Sequence, residues 1–133
     1  MCRGRHIARH WRIGLVWIDE ATLNGGMSGI EQRRLLRADE VAALVGRLAG
    51  WEIVDGGLEK VFGFGAYLEG IEFVRRLAEV AEAMDHHPDL SVGWRKVGVR
   101  LTTHSAKGVT RLDGELAEAA EKLFAQSAPG YSV

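Results

Sequence analysis

At 133 residues, with 47% apolar and 26% charged side chains, the chain has the size and composition of one soluble globular domain, able to build a core without disulfides or structural metals. A formal net charge of −1 excludes a bulk electrostatic pull toward nucleic acid or anionic membrane. Cys2 is the only cysteine, so an intramolecular disulfide and a thiolate metal cage are both excluded, and a reducing cytoplasm is the expected location.

Residues 1–26 differ from the rest. They carry Arg3, Arg5, Arg9 and Arg12 but only two acids, and they show no sustained helical or strand period. Their longest apolar run, Ile13 to Ile18, is cut off by Asp19 and Glu20, too short for a secretory or membrane-spanning segment. Asn24-Gly25-Gly26 precedes a second methionine, Met27. Residues 1–26 are therefore expected to be an unstructured tail, or to lie upstream of a native start at Met27. The domain proper is expected over 27–133.

Periodicity sharpens from Asp39. Val41, Leu44, Val45 and Leu48 mark a short amphipathic helix, with Asp39 as its expected N-cap and Gly50 as its stop. Trp51 to Val54 reads as a strand, Asp55-Gly56-Gly57 as a turn, and Leu58 to Phe64 as the returning strand. Tyr67 to Met84 is the longest helix. Ile71, Val74, Ala78 and Ala81 form one apolar seam; Phe73, Leu77, Val80 and Met84 form a second. Together they are wider than one core face needs, so the second seam is expected to meet another helix or another subunit, and it motivates a homo-oligomer. Pro88 is expected to end this helix, with His87 at its exit. Leu90 to Trp94 and Val97 to His104 follow as two strands. Thr110 and Asp113 have the spacing of a helix start, and Leu112, Leu116, Ala119 and Leu123 mark the last helix. The order α-β-β-α-β-β-α predicts an α+β domain: a four-stranded antiparallel sheet with three helices on one face.

His86, His87 and His104 all fall near element ends, and Glu82 lies four residues before His86. Imidazoles that titrate near neutrality, with a carboxylate to orient one of them, suit general acid–base work. A metal site is the alternative, because the same four side chains are possible ligands. Adjacent His86 and His87 diverge in extended geometry, however, and no His-x-x-x-His pair lies on a helix, so no metal is expected. Asp113 can serve a site, or simply supply an acid to the first turn of its helix.

At these residues the sequence resembles the pterin-4a-carbinolamine dehydratase family. Glu82-Ala83-Met84-Asp85-His86-His87-Pro88 is similar to the family's Glu-x-x-x-His-His-Pro signature. Trp94 stands at its aromatic position, Thr103-His104 at its Thr-His step, and Gly108-Val109-Thr110 with Asp113 completes the pattern. Trp51, Phe62, Phe64, Tyr67 and Phe73 match the upstream framework, so the likeness covers about residues 36–126. The resemblance implies dehydration of 4a-hydroxytetrahydropterin to the quinonoid dihydropterin in tetrahydrobiopterin recycling, without a cofactor. It implies His86 and His104 as acid–base groups on either face of the pterin, His87 mainly as a binding group and Glu82 as their support. Asp85, Thr102, Thr103, Ser105 and Asp113 would line the substrate, and Trp51 would supply an apolar or stacking wall. A homodimer or homotetramer working beside an aromatic amino acid hydroxylase is the expected setting. The competing function is a non-catalytic binding or assembly module of the same fold, which has no physical need for the complete histidine set.

Overall fold

A computed structural model describes residues 10–13, 16–19 and 29–127. In chain order the elements are β1 (His10–Ile13), β2 (Val16–Asp19), α1 (Gly29–Gln32), α2 (Ala38–Arg47), β3 (Glu52–Val54), β4 (Gly57–Gly63), α3 (Tyr67–Met84), β5 (Asp89–Val92), β6 (Lys96–Leu101) and α4 (Arg111–Ser127). From α2 onward this is the α-β-β-α-β-β-α order expected. β3, β4, β6 and β5 lie side by side in one sheet, and every pairing is antiparallel.

Period-2 alternation decides which face of the sheet is covered. The register sets Leu58 opposite Leu101 and Phe62 opposite Val97, and all four are buried, as is Val99 between them. The other face is open: Val61, next to buried Phe62, is 64% exposed. All the long helices therefore pack on one face. From α3 come Phe73 and Leu77, and from α4 Leu116, Ala120 and Leu123, all in the same apolar cluster as the inward sheet residues. Phe73 binds the layers together, its ring centroid 4.9 Å from Phe62 and 5.3 Å from Phe64. Each such side chain contributes about 1.5–3 kcal/mol by leaving water.

The β3–β4 hairpin turns on Asp55 and Gly56, with φ of 48° and 78°, the double left-handed geometry of a tight hairpin turn. Gly57 then leaves space that a larger residue would fill: a Cβ there would sit 2.6 Å from Arg100 Cζ. Through that gap Arg100 donates to the carbonyls of Val54 at 2.7 Å and Asp55 at 3.0 Å, fastening the turn to β6.

Three details differ from the sequence reading. The seam Phe73, Leu77, Val80 and Met84 is not a free surface; all four are at most 8% exposed within one chain. The side of α3 left partly open is that of Ile71, Val74 and Ala78, continued by Leu68 at 73% exposure. Hydrophobic spacing shows two adjacent seams but cannot show which one the sheet takes. Secondly, α2 begins at Ala38, not after Asp39. The Glu40 carboxylate accepts the Arg37 N–H at 2.8 Å, which moves the helix start back, and Asp39 falls inside the first turn. Hydrogen bonding from the Arg34 guanidinium, then from the Arg37 backbone, lowers the Glu40 carboxyl to about 2. Thirdly, β1 and β2 pair as antiparallel strands within residues 1–26, Trp11 with Ile18 and Ile13 with Val16. Each strand is only four residues long, too short to register as a period. The remainder of 1–26 lies outside the described residues.

Candidate active site

The site is built where α3 stops. Asp85 takes a left-handed conformation (φ 52°, ψ 42°), and the His86 N–H bonds back to the Ala81 carbonyl at 3.0 Å. This is the doubly bonded helix stop that usually employs glycine. It ends the helix at Met84, before Pro88 can act, and it swings His86 off the helical path. The expected Glu82–His86 pairing on one helix face therefore does not form. Glu82 Oε1 instead meets His87 Nε2 at 2.7 Å, in an exposed pair.

His86 turns inward. It is 6% exposed, and its Nε2 lies 2.6 Å from Asp113 Oδ1. Asp113, on the first turn of α4, is fully buried. Its second oxygen, Oδ2, accepts the Thr110 N–H at 2.8 Å, which caps α4, and the Thr103 hydroxyl at 2.8 Å. Asp113 thus does both things the sequence left open: it caps the helix with one oxygen and meets a histidine with the other. A buried carboxylate is costly unless its lone pairs are satisfied, and here four groups converge on it. Thr110 Oγ1 completes the cluster, 2.7 Å from Thr103 Oγ1. Sequence spacing marked Thr110 only as a helix start, and its hydroxyl's part in the cluster was missed. The repeated Thr at 103 and 110 around one Asp was the available signal.

This cluster brings the two histidine-bearing segments to one end of the sheet. β5 begins at Asp89, directly after His87-Pro88, and pairs with Arg100 of β6. The same register carried past the strands sets His86 across from Thr103, and their common bond to Asp113 agrees. β6 itself stops at Leu101, not at His104. A single bridge between Thr103 and Gly108 closes a tight turn over residues 103–108, with Lys107 at φ 60°. His104 is exposed on that turn, immediately after the buried Thr103.

The other expected substrate contacts divide by burial. Asp85, His87, His104 and Ser105 are exposed and Thr102 is half-buried, so all can meet a ligand. Thr103 and Asp113 are buried and bonded to one another, so they act on a ligand only through neighbours. Trp51 is 3% exposed; its ring stands edge-on to Phe62, 5.9 Å between centroids, and its indole N–H donates to Glu121 at 2.7 Å. That placement makes it a core residue with little face left for stacking. Trp94, by contrast, is 73% exposed beside Arg95. His86–Asp113 and His87–Glu82 are separate dyads, and among the described residues no three His, Cys, Asp or Glu side chains converge as a metal would require. No helix of the described residues is long and apolar enough to cross a membrane.

Comparison with known proteins gives a consistent picture. The family model described as pterin 4 alpha carbinolamine dehydratase matches residues 34–123, the whole stretch from α2 through most of α4. A protein of Mycobacterium sp. (strain KMS), provisionally named pterin-4-alpha-carbinolamine dehydratase, is 46% identical over 90 residues, spanning 68% of this chain and 96% of its own. A protein of Sulfolobus acidocaldarius with the same provisional name is 41% identical over 88 residues, spanning 66% of this chain and 97% of its own. Among solved structures, a transcriptional coactivator/pterin dehydratase from Brucella melitensis superposes with a TM-score of 0.66 at 32% identity, covering 68% of this chain and 98% of that one.

Proposed function

Because the chain belongs to the pterin 4 alpha carbinolamine dehydratase family, we propose that it dehydrates 4a-hydroxytetrahydropterin to the quinonoid dihydropterin, in tetrahydrobiopterin recycling. The observation that carries this reading is the gathering of His86 and His104 at one end of the sheet, through the Asp113–Thr103 contact. The elimination breaks the C4a–O bond. One imidazolium delivers a proton to the departing hydroxyl, which leaves as water. A second, neutral imidazole removes the proton from a ring nitrogen as the new double bond forms. His86 and His104 fill these two roles, and His87, oriented by Glu82, holds the substrate. Asp85, Thr102 and Ser105 supply the polar groups that the edge of a flat bicyclic ring would meet. The reaction needs no cofactor, and a cytoplasmic setting beside an aromatic amino acid hydroxylase would use it.

Binding of a stable 7,8-dihydropterin tests the site directly. Titration followed by NMR is expected to move the imidazole resonances of His86, His87 and His104 together. Shifts confined to other residues would place the pterin elsewhere and overturn the assignment.

The partly open stripe Leu68, Ile71, Val74 and Ala78 supports a homodimer or homotetramer formed through α3. Spaced along one ridge of the helix, it is a contiguous apolar surface that a single chain leaves wet. Sedimentation should give a multiple of the 14.6 kDa chain mass, and Leu68→Glu should lower it. A monomer at micromolar concentration would refute the assembly.

A further inference from the structure

We propose that Thr103 and Thr110 are positioning residues that hold Asp113 so that His86 is fixed with its proton on Nε2, leaving Nδ1 as the nitrogen that exchanges protons with substrate. A count of protons in the cluster leads there. Thr103 has one hydroxyl hydrogen and gives it to Asp113 Oδ2, at 2.8 Å. Thr103 Oγ1 must then accept in its 2.7 Å contact with Thr110, so the Thr110 hydroxyl donates. The alternative, a Thr110 hydroxyl donating directly to Asp113, would use a longer contact of 3.5 Å. The Thr110 backbone N–H also donates to Oδ2, at 2.8 Å. One oxygen of Asp113 is thus occupied by two donors and backed by a third. A carboxylate is an acceptor with no hydrogen of its own. Its other oxygen, 2.6 Å from His86 Nε2, can therefore only accept, and the imidazole must carry a hydrogen on Nε2.

Among the described residues, Asp113 is the side-chain acceptor found at that nitrogen. On its own segment Glu82 is taken by His87, and Asp85 is exposed beyond the helix stop. Asp113 comes from α4, while His104 and Lys107 are exposed on the turn over residues 103–108. The backbone turn at Asp85 and the bond from Nε2 fix the ring at two places. The catalytic consequence rests on the dehydratase reading; the tautomer does not.

The test reads the tautomer without turnover. In the full chain labelled with ¹⁵N-histidine, His86 in its neutral form is expected to show a protonated Nε2 and a bare Nδ1. Its Nε2–H should resonate downfield and exchange slowly with water. Thr103→Val should speed that exchange about tenfold or more and lower kcat by a similar factor with little change in KM, while Thr103→Ser should restore both. Should Thr103→Val not fold, Thr110→Val keeps the capping N–H and removes only the outer hydroxyl, and a smaller change of the same sign is expected. A neutral His86 protonated on Nδ1 in the unmodified chain would overturn the proposal. So would unaltered exchange in folded Thr103→Val. Finding the expected tautomer in a chain that dehydrates no pterin would refute the proposed function while leaving the positioning intact. Turnover with the wrong tautomer would do the reverse.

Discussion

His86→Ala is expected to lower the dehydration rate by on the order of 10²-fold or more, and His104→Ala to do the same. His87→Ala should act mainly on KM, because the proposed mechanism gives His87, the exposed partner of Glu82, the task of binding substrate and not of moving a proton. The three variants differ in what else they disturb. His104 and His87 are exposed, so their loss should leave the fold intact. His86 is buried against Asp113, and removing it leaves a buried carboxylate short of one donor, a penalty of about 1–3 kcal/mol. Initial rates should therefore be paired with melting curves. For His86→Ala, kcat should fall far more than the folded fraction does. A His104→Ala variant with unchanged kcat would remove one of the two proton carriers and contradict the mechanism.

Phe73→Ala should destabilise the domain by about 3–5 kcal/mol. Phe73 is fully buried, and its ring packs on those of Phe62, Phe64 and Phe124, joining α3 to both the sheet and α4. Truncation leaves a cavity that the surrounding rings cannot close. Urea unfolding is the measurement, and the midpoint should fall by the same amount at all protein concentrations. This distinguishes a core seam from a subunit seam. If Phe73 lay between subunits, the loss would depend on concentration and appear first as dissociation. A penalty below about 1 kcal/mol would show that the residue is not where the packing puts it.

What the sequence disclosed follows from which signals are local. The span Tyr67 to Met84 and the turn at Asp55-Gly56 are set by helical period and by residues suited to left-handed geometry, so both were legible in advance. The antiparallel sheet followed from strand pairs joined by short turns. Choices made by tertiary packing were hidden. Two seams on α3 looked alike until the sheet took that of Phe73 and Leu77. The helix stop was hidden for a different reason: a left-handed Asp85 is uncommon for a side chain with a Cβ, and Pro88 offered a more obvious terminator. That one conformation exchanged the partners of two histidines. Extending the helix pairs Glu82 with His86; stopping it at Met84 gives Glu82 to His87 and sends His86 to Asp113. The motif supplied the residue types of the candidate site, while their bonds depend on a backbone turn and on an Asp 27 residues further along the chain.

The central claim is that this histidine set dehydrates a pterin, and stopped-flow dehydration of a synthetic 4a-hydroxytetrahydropterin tests it most directly. Catalytic amounts of the full chain are expected to accelerate appearance of the quinonoid dihydropterin, a strong chelator should leave the rate unchanged, and His86→Ala should remove most of the acceleration. A rate equal to the uncatalysed reaction, from a folded chain, would contradict the account and leave the non-catalytic binding module as the reading of this fold.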